Sequence, residues 1–209
     1  MDYVIFECSA AINSLHDAIQ CGGHRLKSIV CTDAETAEAA KAAHPHLQAV
    51  IVARSEFTPA TEDVYLCGEV GEAALRWRAA NEFNRTLPLG TLVHPAAIIS
   101  PTATLAPGTV VLAGAILASN VVVGEQCLIG QGAIFGHDTV LRNGVQIGAG
   151  ARLAGHLCID TGATIELGAS VIEDVAIGVD ARVRAGAVVL KNIAAGAVVS
   201  GVPAKPEAS

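Results

Sequence analysis

A histidine followed directly by an aspartate, His137-Asp138, is the strongest candidate for chemistry in this sequence. An imidazole titrates near neutral pH, so a histidine that solvent can reach accepts a proton from an amine or a hydroxyl group. A neighbouring carboxylate favours the imidazolium form and so makes the imidazole a stronger base. We therefore predict that His137 is a general base tuned by Asp138. The alternative is that His137 is an ordinary polar surface residue.

The other histidines and the cysteines predict no metal site. The six cysteines form no CxxC pair and fit no zinc-binding spacing, so we expect buried free thiols in a reducing cytoplasm. His94, His137 and His156 contain no close histidine pair, which argues against a zinc site. We expect His94, which precedes a proline, to be structural. We expect His156 to be a surface residue; the alternative is that it lines the same groove as His137.

Residues 1–90 predict a small α/β (Rossmann-like) domain. Short apolar runs alternate with segments of helical spacing, which indicates a parallel sheet with helices on its faces. The predicted strands are 3–6, 26–31, 48–53 and 63–67, and the predicted helices are 10–20, 34–43 and 71–84.

Residues 91–209 predict a left-handed parallel β-helix. Every sixth residue from Ile99 to Val189 is apolar, and the residue four positions later is nearly always small or β-branched. A period of six fits neither a helix nor a plain strand. It fits a triangular coil of 18 residues with one inward aliphatic residue per side and with Gly, Asn or Asp at the corners, where φ is positive. Glycine is also frequent directly after the inward residue, as at Gly124 and Gly130.

The even repeat also predicts the state of assembly. No insertion interrupts the six-residue pattern, so the three sides of the coil should be flat, with no long loop to cover them. We therefore expect a homotrimer.

Charge and hydropathy exclude several partners. The net charge is −7, only 3% of the residues are aromatic, and no basic patch is visible, so we expect no nucleic acid partner. The most apolar run, 110–124, is too short to span a bilayer. The first residues lack the basic region of a signal peptide. We expect no membrane insertion and a cytoplasmic location.

Three short segments give the sequence a family resemblance. They are Thr91-Leu92-Val93-His94-Pro95 at the start of the repeats, Gly136-His137-Asp138, and the closing Gly201-Val202-Pro203-Ala204-Lys205. This layout resembles hexapeptide-repeat acetyltransferases that act on sialic acid (O-acetylation) or on nucleotide-linked 4-amino sugars (N-acetylation). The resemblance implies acetyl-CoA as co-substrate, homotrimers with active sites between subunits, and a histidine base followed by an acidic residue.

The resemblance also implies residues that contact acetyl-CoA. Gly155 stands one 18-residue coil above His137, where a small side chain would leave room for the pantetheine arm. Leu167 and Ala185 stack on each other in the same way, at positions that the family uses for backbone contacts to the coenzyme. Gln146 stands where many relatives have a second histidine, and its amide can donate to a thioester carbonyl. The alternative for each is an ordinary residue of a β-helix.

Two departures from the family pattern keep three functions open. The family has a glycine-rich turn after its first strand, whereas this chain reads Phe6-Glu7-Cys8-Ser9-Ala10-Ala11. Such a turn lets backbone amides approach a phosphate, so the role of Glu7 and the possible sugar-nucleotide site in residues 1–90 stay open. The leading hypothesis is an N-acetyltransferase acting on a nucleotide-linked amino sugar. The alternatives are an O-acetyltransferase acting on sialic acid or another sugar, and a non-catalytic trimeric scaffold.

Overall fold

The computed structural model describes residues 1–6, 12–60, 62–67 and 89–207. The amino-terminal region has a four-stranded parallel sheet of order β3-β2-β1-β4. Its elements are β1 (Asp2–Phe6), α1 (Ile12–Cys21), β2 (Arg25–Cys31), α2 (Ala34–Ala43), β3 (Val50–Ala53), a 3-10 turn (Arg54–Glu56) and β4 (Val64–Cys67). The predicted strands are confirmed to within two residues. The predicted helix 71–84 lies outside the described residues.

Helix α1 joins this region to the rest of the chain. One face of the helix is apolar, and Ile12, Leu15 and Ile19 on it are fully buried. These side chains share a core with Leu92, Val110, Leu112 and Leu128 from the first coils of the β-helix. The helix ends at Cys21. Two residues later Gly23 has a φ of 71°, which suits glycine, and His24 N donates to Ile19 O to close the last turn.

The remainder of the chain is a parallel β-helix with three faces. Sheet I contains Leu92–Val93, Val110–Val111, Leu128–Ile129, Gln146–Ile147, Thr164–Ile165, Arg182–Val183, Val198–Ser200 and Lys205–Pro206, the last of which is antiparallel. Sheet II contains Ile98–Ile99, Ile116–Leu117, Ile134–Phe135, Arg152–Leu153, Ser170–Val171 and Val188–Val189. Sheet III contains Thr104–Leu105, Val122–Val123, Val140–Leu141, Cys158–Ile159 and Ala176–Ile177. The predicted left-handed β-helix after a small α/β region is confirmed.

The core of the β-helix follows the six-residue pattern. From Val111 onward the inward residues are buried, whereas Ile99 and Leu105 in the first coil are half-buried. Strands pair with a register of 18 residues, as for Phe135 with Leu153, so every coil repeats the one below it. Residues that share a place in the coil therefore stack directly on one another.

The structure shows that two sets of residues near the corners of the coil have different roles. The first set has a positive φ and recurs at every sixth residue from Gly108 to Gly186. The second set is the glycine series that includes Gly124 and Gly130, and each of its members lies two positions before a residue of the first set. The glycines of the second set allow adjacent coils to pack closely. A Cβ on Gly136 would lie 2.7 Å from the backbone of the next coil, and one on Gly178 would lie 2.5 Å from Ala195 N.

The cysteine expectation is only partly right. Cys31, Cys67 and Cys127 are buried, as expected, but Cys21 and Cys158 are exposed. Cys8 lies outside the described residues. In the part of the chain that the structure covers, no helix has the length and apolar character needed to cross a bilayer.

Candidate functional site

His137 and Asp138 lie on one edge of the β-helix, in the turn that connects sheet II to sheet III. The turn follows strand Ile134–Phe135, and Asp138 is its left-handed residue, with a φ of 54°. The edge projects both side chains away from the core. The side chain of His137 is 52% exposed and that of Asp138 is 41% exposed, so a substrate can reach them.

Within the described residues, the hydrogen bonds of this pair leave one imidazole nitrogen without a partner. His137 Nδ1 lies 2.8 Å from Asp138 Oδ2. An ionised carboxylate only accepts hydrogen bonds, so Nδ1 carries the proton and Nε2 keeps its lone pair. Asn120, one coil below, donates through Nδ2 to Asp138 Oδ1 at 2.9 Å. The hydrogen bond from Asn120, and then that from His137, hold the pKa of Asp138 below its ordinary value. The orienting group is therefore a carboxylate at neutral pH.

Gly155 lies on the coil directly above His137 and touches its ring. A Cβ on Gly155 would lie 3.0 Å from His137 Cε1 and 3.2 Å from its Nε2. The space that a side chain would take is thus occupied by the imidazole of the same chain. Gly155 as a contact for acetyl-CoA stays a prediction.

His156 is part of this site, although the sequence favoured a plain surface residue. Its ring meets that of His137 edge to face, with the centroids 4.9 Å apart. His156 N also donates to His137 O at 3.0 Å, and the φ of His156 is 57°. The sequence did contain a signal for this contact: His156 is one full 18-residue coil from Asp138 and therefore stacks on it.

The other predicted residues lie around a different edge, between sheets I and II. Gln146 is the first residue of a strand of sheet I and is buried, whereas Leu167 and Ala185 are exposed in the turns that lead to sheet II. Ala185 N donates to Glu166 Oε2 at 3.1 Å. Within one chain, the structure does not bring these three residues to the edge that carries His137.

Gln146 faces a cavity of about 460 Å³ between sheet I and helix α1. Leu167 and Ser14 also line it, and Gln131 Nε2 donates to Ser14 Oγ at 3.0 Å across the junction. The Nε2 atom of Gln146 is buried and has no hydrogen-bond partner among the described residues. An unpaired amide donor of this kind is costly in a folded protein, and it suits a ligand carbonyl in the cavity.

His94 has the structural role expected of it. Its Nδ1 accepts a hydrogen bond from Ala96 N at 3.0 Å, so Nε2 carries the proton and points at Asp17 Oδ2, 3.5 Å away. This contact ties α1 to the first coil. Glu7, with its open role, lies outside the described residues.

Comparisons with known proteins agree with this architecture. Residues 120–155 match the family of bacterial transferase hexapeptides (six repeats). No curated protein matches the sequence. The acetyltransferase domain of PglB from Neisseria gonorrhoeae, solved with acetyl coenzyme A, is 25% identical, with a TM-score of 0.87 over 99% of this chain and 98% of that one.

Two further structures share the fold. PerB from Caulobacter crescentus, in complex with CoA and GDP-perosamine, is 24% identical, with a TM-score of 0.85 over 100% of this chain and 98% of that one. WeeI from Acinetobacter baumannii is 18% identical, with a TM-score of 0.85 over 99% of this chain and all of the other.

Proposed function

We propose that this chain, a hexapeptide-repeat acyltransferase, transfers the acetyl group of acetyl-CoA to the amino group of a nucleotide-linked amino sugar. The observation that carries the proposal is the exposed His137, whose Nδ1 is held by Asp138 while Nε2 stays free. A non-catalytic scaffold would have no use for an oriented imidazole at an open edge.

In the proposed reaction His137 acts on the acceptor. The sugar amine attacks the thioester carbonyl, a C–N bond forms, and the C–S bond to coenzyme A breaks. His137 Nε2 takes the proton that the amine loses, and the imidazolium so formed gives a proton to the departing thiolate. Asp138 stabilises the imidazolium that forms, because its pKa keeps it ionised. General bases of this kind contribute about 10²–10⁴ to a rate.

In our proposal acetyl-CoA lies against Gln146, Leu167 and Ala185, and Gln146 Nε2 donates to the thioester carbonyl. The orphaned donor and the cavity in front of it support this assignment. Because His137 occupies another edge of the same prism, a site containing both groups needs a neighbouring chain. This arrangement supports the homotrimer with active sites between subunits.

The acceptor class rests on the neighbours' ligands. GDP-perosamine is bound by PerB, whose fold this chain shares over its full length. We assign nucleotide binding to residues 1–90, with the boundary to the acyltransferase domain at residue 91. An exposed base can also accept a proton from a hydroxyl group. The experiment must therefore distinguish O-acetylation of sialic acid from N-acetylation.

The test is acetyl transfer with GDP-, UDP- and dTDP-linked 4-amino sugars and with free sialic acid, with the product identified by mass spectrometry. We expect N-acetylated product from one nucleotide sugar. His137→Ala should lower the rate by about 10²–10⁴ with acetyl-CoA affinity nearly unchanged, and Asp138→Asn should lower it less. Asp180→Asn is the matched control for Asp138→Asn, because Asp180 is also exposed, has the same φ of 54° and lies on a different edge of the β-helix, after strand Ala176–Ile177. A fully active His137→Ala protein would refute the mechanism.

A further inference from the structure

The edge that carries the candidate base also gathers a set of metal ligands. His137, Asp138 and His156 each offer one ligand atom, and these atoms all lie within 4.8 Å of one another. We infer that these three residues, here called the edge triad, bind Zn²⁺ or a similar divalent transition metal, and that the bound metal inhibits the acyl transfer.

The ligand chemistry selects the metal. Two imidazoles and one carboxylate suit Zn²⁺, whereas Mg²⁺ and Ca²⁺ prefer oxygen ligands alone. Zinc–nitrogen bonds of about 2.0–2.1 Å place neighbouring ligands of a tetrahedral site roughly 3.3 Å apart. The three side chains are exposed, so side-chain rotation closes the remaining distance without any movement of the core.

The backbone beneath the triad is fixed. The hydrogen bond from His156 N to His137 O joins the two coils at 3.0 Å, and Asn120 holds one oxygen of Asp138. An ionised carboxylate has about four lone-pair positions, and the hydrogen bonds from His137 and Asn120 occupy two of them. Asp138 therefore retains capacity for a metal ion.

A second ligand group, Asp17, Cys21 and His94, is the only rival in the described residues. It is a poor site, because the Nδ1 atom of His94 accepts a hydrogen bond from a backbone amide. The proton is then on Nε2, the nitrogen nearest to Asp17, and no lone pair faces the group. In the edge triad, by contrast, one nitrogen of the His137 ring keeps a lone pair, and the exposed ring can rotate to present it to a metal ion beside Asp138.

Inhibition follows from competition for the same side chain. A metal ion on the imidazole of His137 takes the group that would receive the proton of the amine. This half of the inference rests on the proposed function, whereas metal binding itself does not. The two halves are therefore measured separately.

The experiment is calorimetric titration of the metal-free chain with ZnCl₂, together with Co²⁺ absorption spectra. We expect one site per chain, at least tenfold weaker in His156→Asn and in Asp138→Asn, and unchanged in Cys21→Ser. Asparagine tolerates the left-handed backbone of both positions, and melting curves will verify that the variants fold. Absence of zinc binding, or equal binding by His156→Asn, would overturn the inference.

Transfer rates are then measured with increasing zinc by chromatography of the acetylated product. Each rate is compared with the zinc-free rate of the same variant. We expect the zinc concentration that halves the rate to be at least tenfold lower for the parent than for His156→Asn. Zinc that binds coenzyme A would slow both proteins equally, so the variant also controls for that effect. Zinc that binds the triad without slowing transfer would leave the metal site standing and refute His137 as the base.

Discussion

Gly155→Ala tests whether the role of Gly155 is to make room for the base. The new Cβ would lie 3.0 Å from His137 Cε1, whereas carbon atoms in contact prefer about 3.5–4.0 Å. The imidazole must therefore move by about 0.5 Å or more. A misplacement of about 1 Å can cost about 10²-fold in rate, so we expect kcat to fall about tenfold, or about 1.4 kcal/mol.

Steady-state kinetics separate this reading from a direct contact with acetyl-CoA. If Gly155 positions His137, kcat falls while the KM for acetyl-CoA is nearly unchanged. If Gly155 binds the pantetheine arm, the KM rises instead, and the reasoning from ring clearance is refuted. Unchanged kinetics would refute both readings.

Gly178→Ala is the matched control for Gly155→Ala. Its Cβ would lie 2.5 Å from Ala195 N, a backbone atom of the next coil. We expect a loss of about 1–3 kcal/mol in folding free energy, seen as a Tm lower by several degrees. The kcat should stay near that of the parent, because Gly178 lies in the turn after strand Ala176–Ile177, on a different edge of the β-helix from His137.

Three further predictions concern the cavity, the carboxylate and the assembly. Gln146→Met removes a buried donor that has no partner within the described part of the chain, so Tm should rise by a few degrees. Acetyl-CoA affinity should fall about fivefold, or about 1 kcal/mol; unchanged affinity in calorimetry would remove Gln146 from the site. Asp138 has a pKa below its ordinary value of 3.8, so the stability it contributes is complete above that pH and is lost as the pH falls through the folded-state pKa. Asn120→Ala removes the main cause and should move the carboxyl titration, followed by NMR, to higher pH; an unmoved midpoint would contradict this. Light scattering should give three times the 21.2 kDa of one chain, and a single-chain mass at micromolar concentration would refute the trimer.

The fold could be predicted from the sequence because a β-helix is a local pattern repeated. An apolar residue at every sixth position, from Ile99 to Val189, leaves few other ways to bury these side chains. The 18-residue coil then put Gly155 above His137 by counting alone, and the structure has that stacking. The amino-terminal strands were predictable for a similar reason, since each is a short apolar run between turns.

The tertiary structure alone decided which side chains meet. The contact of His156 with His137 depends on ring orientation across two coils, and a surface residue was the simpler interpretation of the sequence. The cavity that Gln146 shares with Ser14 depends on helix α1 packing near sheet I, which no periodicity within either segment specifies. A repeating pattern determines the backbone because each coil packs against neighbours of the same kind. The site lies at edges and junctions, where each side chain takes its place from contacts with segments distant in sequence.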